Sequence, residues 1–220
     1  MIREKIEALK MEVEGLGRSP VRIVFVTKNM AVAVLREAYD AGARDFGENR
    51  VQELLEKKPQ LPGDIRWHFL GHLQTNKVKE VVGQAVLIHS LDSIHLAKEL
   101  EKVSAKRNEV TPVLVQVNTS GEVTKFGFKP EEVEDQVAEM TRFSHLKIEG
   151  LMTIGPFTPE ESPIRKCFKD LKRIQQKLKL LYPDLSWHEL SMGMSDDYRI
   201  ALQEGSTILR IGRAIFGERK

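Results

Sequence analysis

The chain is short of cysteine. Among its 220 residues only Cys167 carries a thiol, so no disulfide can form within it and the disulfide-stapled secreted scaffolds are excluded. It also lacks long hydrophobic runs, and no apolar stretch approaches the ~20 residues that a membrane-spanning helix needs. A charge bias is missing as well, with Lys+Arg 34 against Asp+Glu 32 and a formal net charge of +2. That balance offers no basic stripe for nucleic acid and no polybasic patch for a membrane surface. Pro/Gly-rich linkers and low-complexity tracts are absent. Residues 1–220 therefore read as one domain, for which 41% hydrophobic residues supply a full core. The stretch MIREKIEALK at 1–10 is charged and helical, without the apolar centre of a signal peptide. A cytoplasmic protein is the expectation.

What is present is alternation. A leading amphipathic helix places Ile6, Leu9, Val13 and Leu16 on one stripe and stops at Gly17. Short apolar runs then alternate with helical patterns. Strands are expected at 21–26, 45–47, 66–71, 85–90, 112–118, 147–153, 187–191 and 207–212. Helices are expected at 32–41, 49–57, 75–82, 95–106, 130–143, 163–181 and 195–203. Repeated strand–helix units imply parallel strands with right-handed crossovers. Eight strands suit an α/β, single-domain (β/α)8 TIM barrel with an extra N-terminal helix; a doubly wound open sheet accommodates them less well.

The first strand, VRIVFV, runs into Lys28. Barrel sites lie at the C-terminal ends of strands, and alternation puts Lys28 on the face of Val24 and Val26. If those valines fill the interior, the amine emerges at the barrel mouth. A strand-end lysine is by itself more often just the first solvated residue. Two later segments shift that balance. HELSMGMSDDY (188–198) brings Ser191, Met192, Gly193 and Ser195 after the seventh strand, and LRIGRAIFGER (209–219) brings Gly212 and Arg213 after the eighth. Loops in those positions are the usual phosphate site of such barrels. Arg210 shares a strand face with Gly212, beside the first strand of a closed barrel. An inward guanidinium needs an anion, a ring nitrogen or a structural ion pair, for instance with Glu189. A desolvated lysine adds to carbonyls, so pyridoxal 5'-phosphate and an aldolase's sugar phosphate both fit. The arginine favours the first, since only pyridoxal phosphate has a ring nitrogen.

Other residues read more plainly. Asn49 suits a cap for the second helix or a hydrogen bond near the ring. His68 and His72 lack a third metal ligand at recognisable spacing, and His68 with Asn76 reads as scaffolding of the mouth. His188 reads as a strand residue with a satisfied partner. Cys167 shares the stripe of Ile164, Phe168, Leu171, Ile174 and Leu178, an inert core position. The lysines of 166–179 form that helix's solvated face.

DFGENRVQE (45–53), WHFLGHLQTNK (67–77), GLMTIGP (150–156), LSMGMSDDY (190–198) and LRIGRAIFGER resemble the pyridoxal phosphate homeostasis protein family across nearly the whole chain. The resemblance implies a barrel similar to the N-terminal domain of alanine racemase and of fold-type III decarboxylases. It implies pyridoxal 5'-phosphate held as a Schiff base on Lys28, in vitamin B6 and amino-acid homeostasis without established catalysis. A racemase-like amino-acid enzyme is the alternative. Similarity to the racemase would set Arg210 against the pyridine nitrogen, Ser191 and the Gly212–Arg213 backbone against phosphate, and Lys125 near the ring hydroxyl. An arginine there leaves the ring nitrogen unprotonated and weakens the cofactor as an electron sink. A racemase also needs a second base, a tyrosine supplied by a further domain. Of Tyr39, Tyr182 and Tyr198 only the last is expected near the site, as packing. The family usually reads like SKTKP where this chain has VTKNM, so Asn29 and Met30 depart from it while Lys28 stays in register. The expected partners are the cofactor and pyridoxal-phosphate-dependent apo-enzymes, for a protein that is itself a monomer.

Overall fold

The computed structural model describes residues 1–16 and 20–217. Helix α1 (Ile2–Leu16) buries Ile6, Leu9 and Val13, as a 3.6-residue stripe requires, and packs on later helices. Leu16 departs from that stripe: it is 45% exposed at the helix end. Gly17, the expected stop, lies outside the described residues.

Among the described residues eight parallel strands close into a barrel, which rules out the open sheet. In order they are β1 (Arg22–Val26), β2 (Asp45–Glu48), β3 (Arg66–Phe69), β4 (Leu87–Leu91), β5 (Thr111–Gln116), β6 (Leu146–Met152), β7 (Glu189–Ser191) and β8 (Ile208–Ile211). Strand β1 pairs with β2 on one side and β8 on the other, setting Val24 opposite Arg210. The helices between them are α2 (Val32–Asp40), α3 (Val51–Lys57), α4 (Val78–Val81), α5 (Ile94–Arg107), α6 (Val133–Met140), α7 (Glu161–Leu181) and α8 (Tyr198–Gln203), with α9 (Arg213–Phe216) after β8. Local chemistry sets several ends. Ser93 accepts the Leu96 N–H at 3.2 Å to start α5, and Asn108, in the left-handed region at φ 52°, ends it. The helix expected at 75–82 is instead a 3-10 turn (Thr75–Lys77) followed by the single turn α4.

Alternation divides the apolar residues between two cores. Phe25, Phe46, Trp67, Ile88 and Val113 pack outward under the helices, while Val24, Leu70, Leu87, Leu114, Met152 and Ile208 fill the interior with Val26 against them. Cys167 is buried in the outer core as expected. Gly47 of the DFGE run faces the interior. A β-carbon there would stand 2.5 Å from Leu70 Cδ1 and 2.8 Å from Val24 Cγ1. Gly47→Ala is therefore expected to destabilise the fold by ~1–3 kcal/mol, the usual cost of overpacking a core. A lowered urea midpoint checks it; an unchanged midpoint would show that the interior can yield.

Candidate functional site

Lys28 stands two residues past β1, half-buried, in the wall of a cavity of about 490 Å³ at the barrel mouth. Arg210, Ser195, Gly212 and Arg213 line the same cavity, so the loops after β7 and β8 converge on the lysine as expected. A buried ion cluster fixes the backbone on both sides of Lys28. The Thr27 hydroxyl donates to Glu48 Oε1 at 2.6 Å, and Lys57 Nζ donates to the Thr27 carbonyl at 2.8 Å. Lys57 also donates to Glu48 Oε1 at 2.8 Å and Glu53 Oε2 at 2.6 Å, and the Asn29 N–H donates to the same Glu53 oxygen at 2.6 Å. Asn29 has φ 60°, a left-handed turn that asparagine tolerates well, which accommodates its departure from the family pattern. Burial pushes the Glu48 carboxyl up, against the donors Lys57 and Thr27. Sequence reasoning missed this cluster; the Glu53–Lys57 spacing on one helix face was its visible trace.

Arg210 is buried and needs no carboxylate in direct contact. Its Nη1 donates to Ser191 Oγ and its Nη2 to the Thr153 carbonyl, each at 2.7 Å. Burial lowers the guanidinium to about 10, partly offset by the charge of Asp197. Glu189, the expected ion-pair partner, instead meets Arg22 at 3.5 Å and the Thr207 hydroxyl. Ser191 does not line the cavity. It ends β7 fully buried, with its hydroxyl between Arg210 and His89, and Met192 beside it is buried too. Gly193 turns the chain at φ 96° and accepts the Arg210 N–H at 3.0 Å. The serine that reaches the cavity is Ser195, whose Oγ accepts the Ala214 N–H at 3.1 Å.

Behind Ser191 a polar row crosses the barrel. His89 Nδ1 is 2.9 Å from Ser191 Oγ, His89 Nε2 is 3.0 Å from His68 Nδ1, and His68 Nε2 is 3.1 Å from Asp45 Oδ1. Arg66 Nε donates to the same carboxylate at 2.7 Å. His68 is thus an interior residue and not mouth scaffolding with Asn76, which is exposed. Burial lowers both histidines, His89 well below the usual imidazole range. Burial would raise Asp45, but the His68 and Arg66 donors outweigh it and hold the carboxyl at about 2. His89 and Asp45 were not foreseen, although a histidine at an inward position of an apolar strand was the available signal.

Asn49 does not cap a helix: Arg50 occupies that position of α3, without a side-chain cap. Its Oδ1 is buried with no partner among the described residues, and it lines a second depression of about 380 Å³ shared with Lys28. His72 accompanies it there, bonded to Asp92 at 2.6 Å and stacked on Phe126 at 3.9 Å. His188 lies exposed just before β7 and not within a strand. Lys125 donates to the Gly155 carbonyl at 2.6 Å, tying two mouth loops together. The three tyrosines all point elsewhere: Tyr198 to Glu12 at 2.9 Å, Tyr39 to Asp64 at 2.8 Å, and Tyr182 to the Glu134 carbonyl at 3.2 Å. A larger groove, about 580 Å³, follows the outer face of α7, where Arg165, Lys166 and Asp170 are ion-paired as on any solvated face.

The family model of the alanine racemase N-terminal domain matches residues 2–220. The pyridoxal phosphate homeostasis protein of Aquifex aeolicus is 42% identical over 207 residues, 94% of this chain and 90% of that one. PipY of Synechococcus elongatus, solved without PLP, superimposes with a TM-score of 0.92 at 34% identity, covering 99% of this chain and all of its own. The same protein with PLP bound gives 0.89 at 33% identity, with the same coverage. Alanine racemase of Clostridium difficile gives 0.79 at 17% identity, covering 99% of this chain and 56% of its own, a likeness of fold.

The interior histidines set a pH dependence. Burial lowers both in the fold, whereas in the unfolded chain they take up protons near 6.5. The unfolded state then binds more protons, so stability falls as pH drops below about 6.5, by up to about 1.4 kcal/mol per pH unit for each histidine. Asp45, depressed from 3.8 to about 2, adds a second loss only as pH falls through that lower window. Urea unfolding at pH 7, 6 and 5 measures the first slope; a flat profile would mean that His68 and His89 protonate inside the barrel.

Proposed function

The chain belongs to the family of the alanine racemase N-terminal domain, and on that premise we propose that its barrel mouth holds pyridoxal 5'-phosphate on Lys28, in a protein that binds the cofactor for vitamin B6 and amino-acid homeostasis without turning over amino acids. The observation that carries this is one cavity lined by Lys28, Arg210, Ser195, Gly212 and Arg213. It joins an amine, a buried guanidinium and two phosphate-suited loops in the arrangement that a phosphorylated pyridine aldehyde requires. The Aquifex aeolicus relative is named a pyridoxal phosphate homeostasis protein, and the neighbouring PipY structure holds PLP.

Each residue then has a part. The Lys28 amine condenses with the aldehyde carbon, releasing one water, and the clamped Thr27 and Asn29 hold it in place. The Ser195 hydroxyl and the Gly212–Arg213 backbone face the phosphate. Arg210 donates towards the ring nitrogen, and Asn49 approaches from the Lys28 side. When bound, the cofactor supplies an aldehyde and a ring able to accept electrons. The donor Arg210 reduces that second capacity. Against the racemase alternative, the Tyr198 hydroxyl donates to Glu12 of α1. No helix among the described residues is long and apolar enough to cross a membrane. We also propose that the protein is cytoplasmic and monomeric, forms a single domain, and yields cofactor to apo-enzymes.

Protein incubated with pyridoxal 5'-phosphate is expected to turn yellow and to bleach with borohydride. The reduced pyridoxyl group should map to the Lys28 peptide, and Lys28→Ala should abolish it. A protein that stays colourless with excess cofactor would remove the reading and bring the sugar-phosphate aldolase forward.

A further inference from the structure

With both histidines neutral, the form that burial favours, the polar row across the barrel has one consistent placement of hydrogens. At one end the Asp45 carboxylate can only accept, so His68 Nε2, 3.1 Å away, carries a hydrogen. Burial favours neutral His68 against the pull of Asp45, and in that form Nδ1 is bare. His89 Nε2, 3.0 Å from that bare nitrogen, must donate, and His89 Nδ1 is bare in turn. Ser191 then directs its single hydrogen to His89 across 2.9 Å. Its oxygen is left to accept from Arg210 Nη1 at 2.7 Å. The other end is compatible with this order, because a guanidinium can only donate and Ser191 Oγ accepts from it while its own hydrogen turns to His89. A donor-only cation and an acceptor-only anion therefore terminate a row in which every member passes one hydrogen in the same direction. The Thr153 carbonyl fixes the second arm of the guanidinium at 2.7 Å.

We propose that Ser191, His89, His68 and Asp45 are positioning residues that hold Arg210 as an immobile, charged donor at the mouth. This rests on the reading of Lys28 and Arg210 as the pyridoxal phosphate site. The row reaches from the base of β2 and β3, where Arg66 is half exposed, to the one side chain placed to address the ring nitrogen. Its ends keep it from reversing while both remain charged. Ser191 thus supports the cofactor through Arg210 and not through the phosphate.

The first measurement is ring 15N NMR of the free protein at pH 7. Both His68 and His89 are expected to carry hydrogen on Nε2 and none on Nδ1. Either ring in the opposite tautomer, or doubly protonated, overturns the relay. The second compares pyridoxal 5'-phosphate binding and visible spectra of wild type, Ser191→Ala, His89→Phe and the off-row control His145→Phe. The two row variants are expected to bind at least about tenfold more weakly with a shifted visible band, and the control to match wild type. Ser191→Ala keeps the packing, so the question stays decidable if His89→Phe does not fold. A folded Ser191→Ala with wild-type affinity and band overturns the positioning role. If wild type itself takes up no cofactor, the reading of the site falls, and with it the cofactor-positioning role; the NMR result still decides the hydrogen order.

Discussion

A guanidinium buried inside a closed barrel cannot stand alone, and the compensation of Arg210 shapes much of this interior. Water is excluded there, and a charge without hydrogen-bonded partners would cost far more than the fold's margin of stability. The chain meets this with a serine hydroxyl, a backbone carbonyl and a row of two neutral histidines ending on the Asp45 carboxylate. Six apolar side chains share the interior with them. The barrel is therefore part apolar filling and part polar row, and the row surfaces where the ligand loops meet.

A second buried charge set lies on the other side of the mouth. Glu48, Lys57 and Glu53 enclose the backbone before and after Lys28, so its amine sits on a segment with little freedom. Removing one partner of such a buried cluster costs ~3–5 kcal/mol, although the intact cluster contributes little net stability. Its benefit is placement. The two charge sets work alike: one fixes the amine, the other the guanidinium, and the cavity between them is lined by both side chains.

How much of this could be read from sequence follows from what each residue depends on. Lys28, Arg210, Gly212 and Arg213 were legible because strand position and alternation place them without knowledge of neighbours. The eight strands were legible for the same reason, though their ends moved by a residue or more. Ser191 was assigned to the wrong layer: β7 is only three residues long, and whether its last side chain faces the cavity or lies beneath it depends on how the barrel closes. His89 and Asp45 gain their meaning only from each other and from Arg210, across strands distant in sequence. Asn49 looked like a cap because its type suits one, while the helix starts one residue later. Leu16 has the right spacing but lies at the end of α1, where it stays exposed.

Holding a cofactor and using it make different demands on a site, and the proposed site at this mouth suits the first. Turnover of an amino acid needs a ring that accepts electrons and acid–base groups on both faces of the reacting carbon. Arg210 works against the first requirement, since a cationic donor disfavours a proton on the ring nitrogen. In the proposed site, among the described residues, the Lys28 amine stands on one face. The hydroxyl of Tyr198 is bound to α1, and His68 and His89 are sealed in the interior row. Electronic and acid–base features thus point the same way independently. In the proposed site, altering either alone would leave the other limiting.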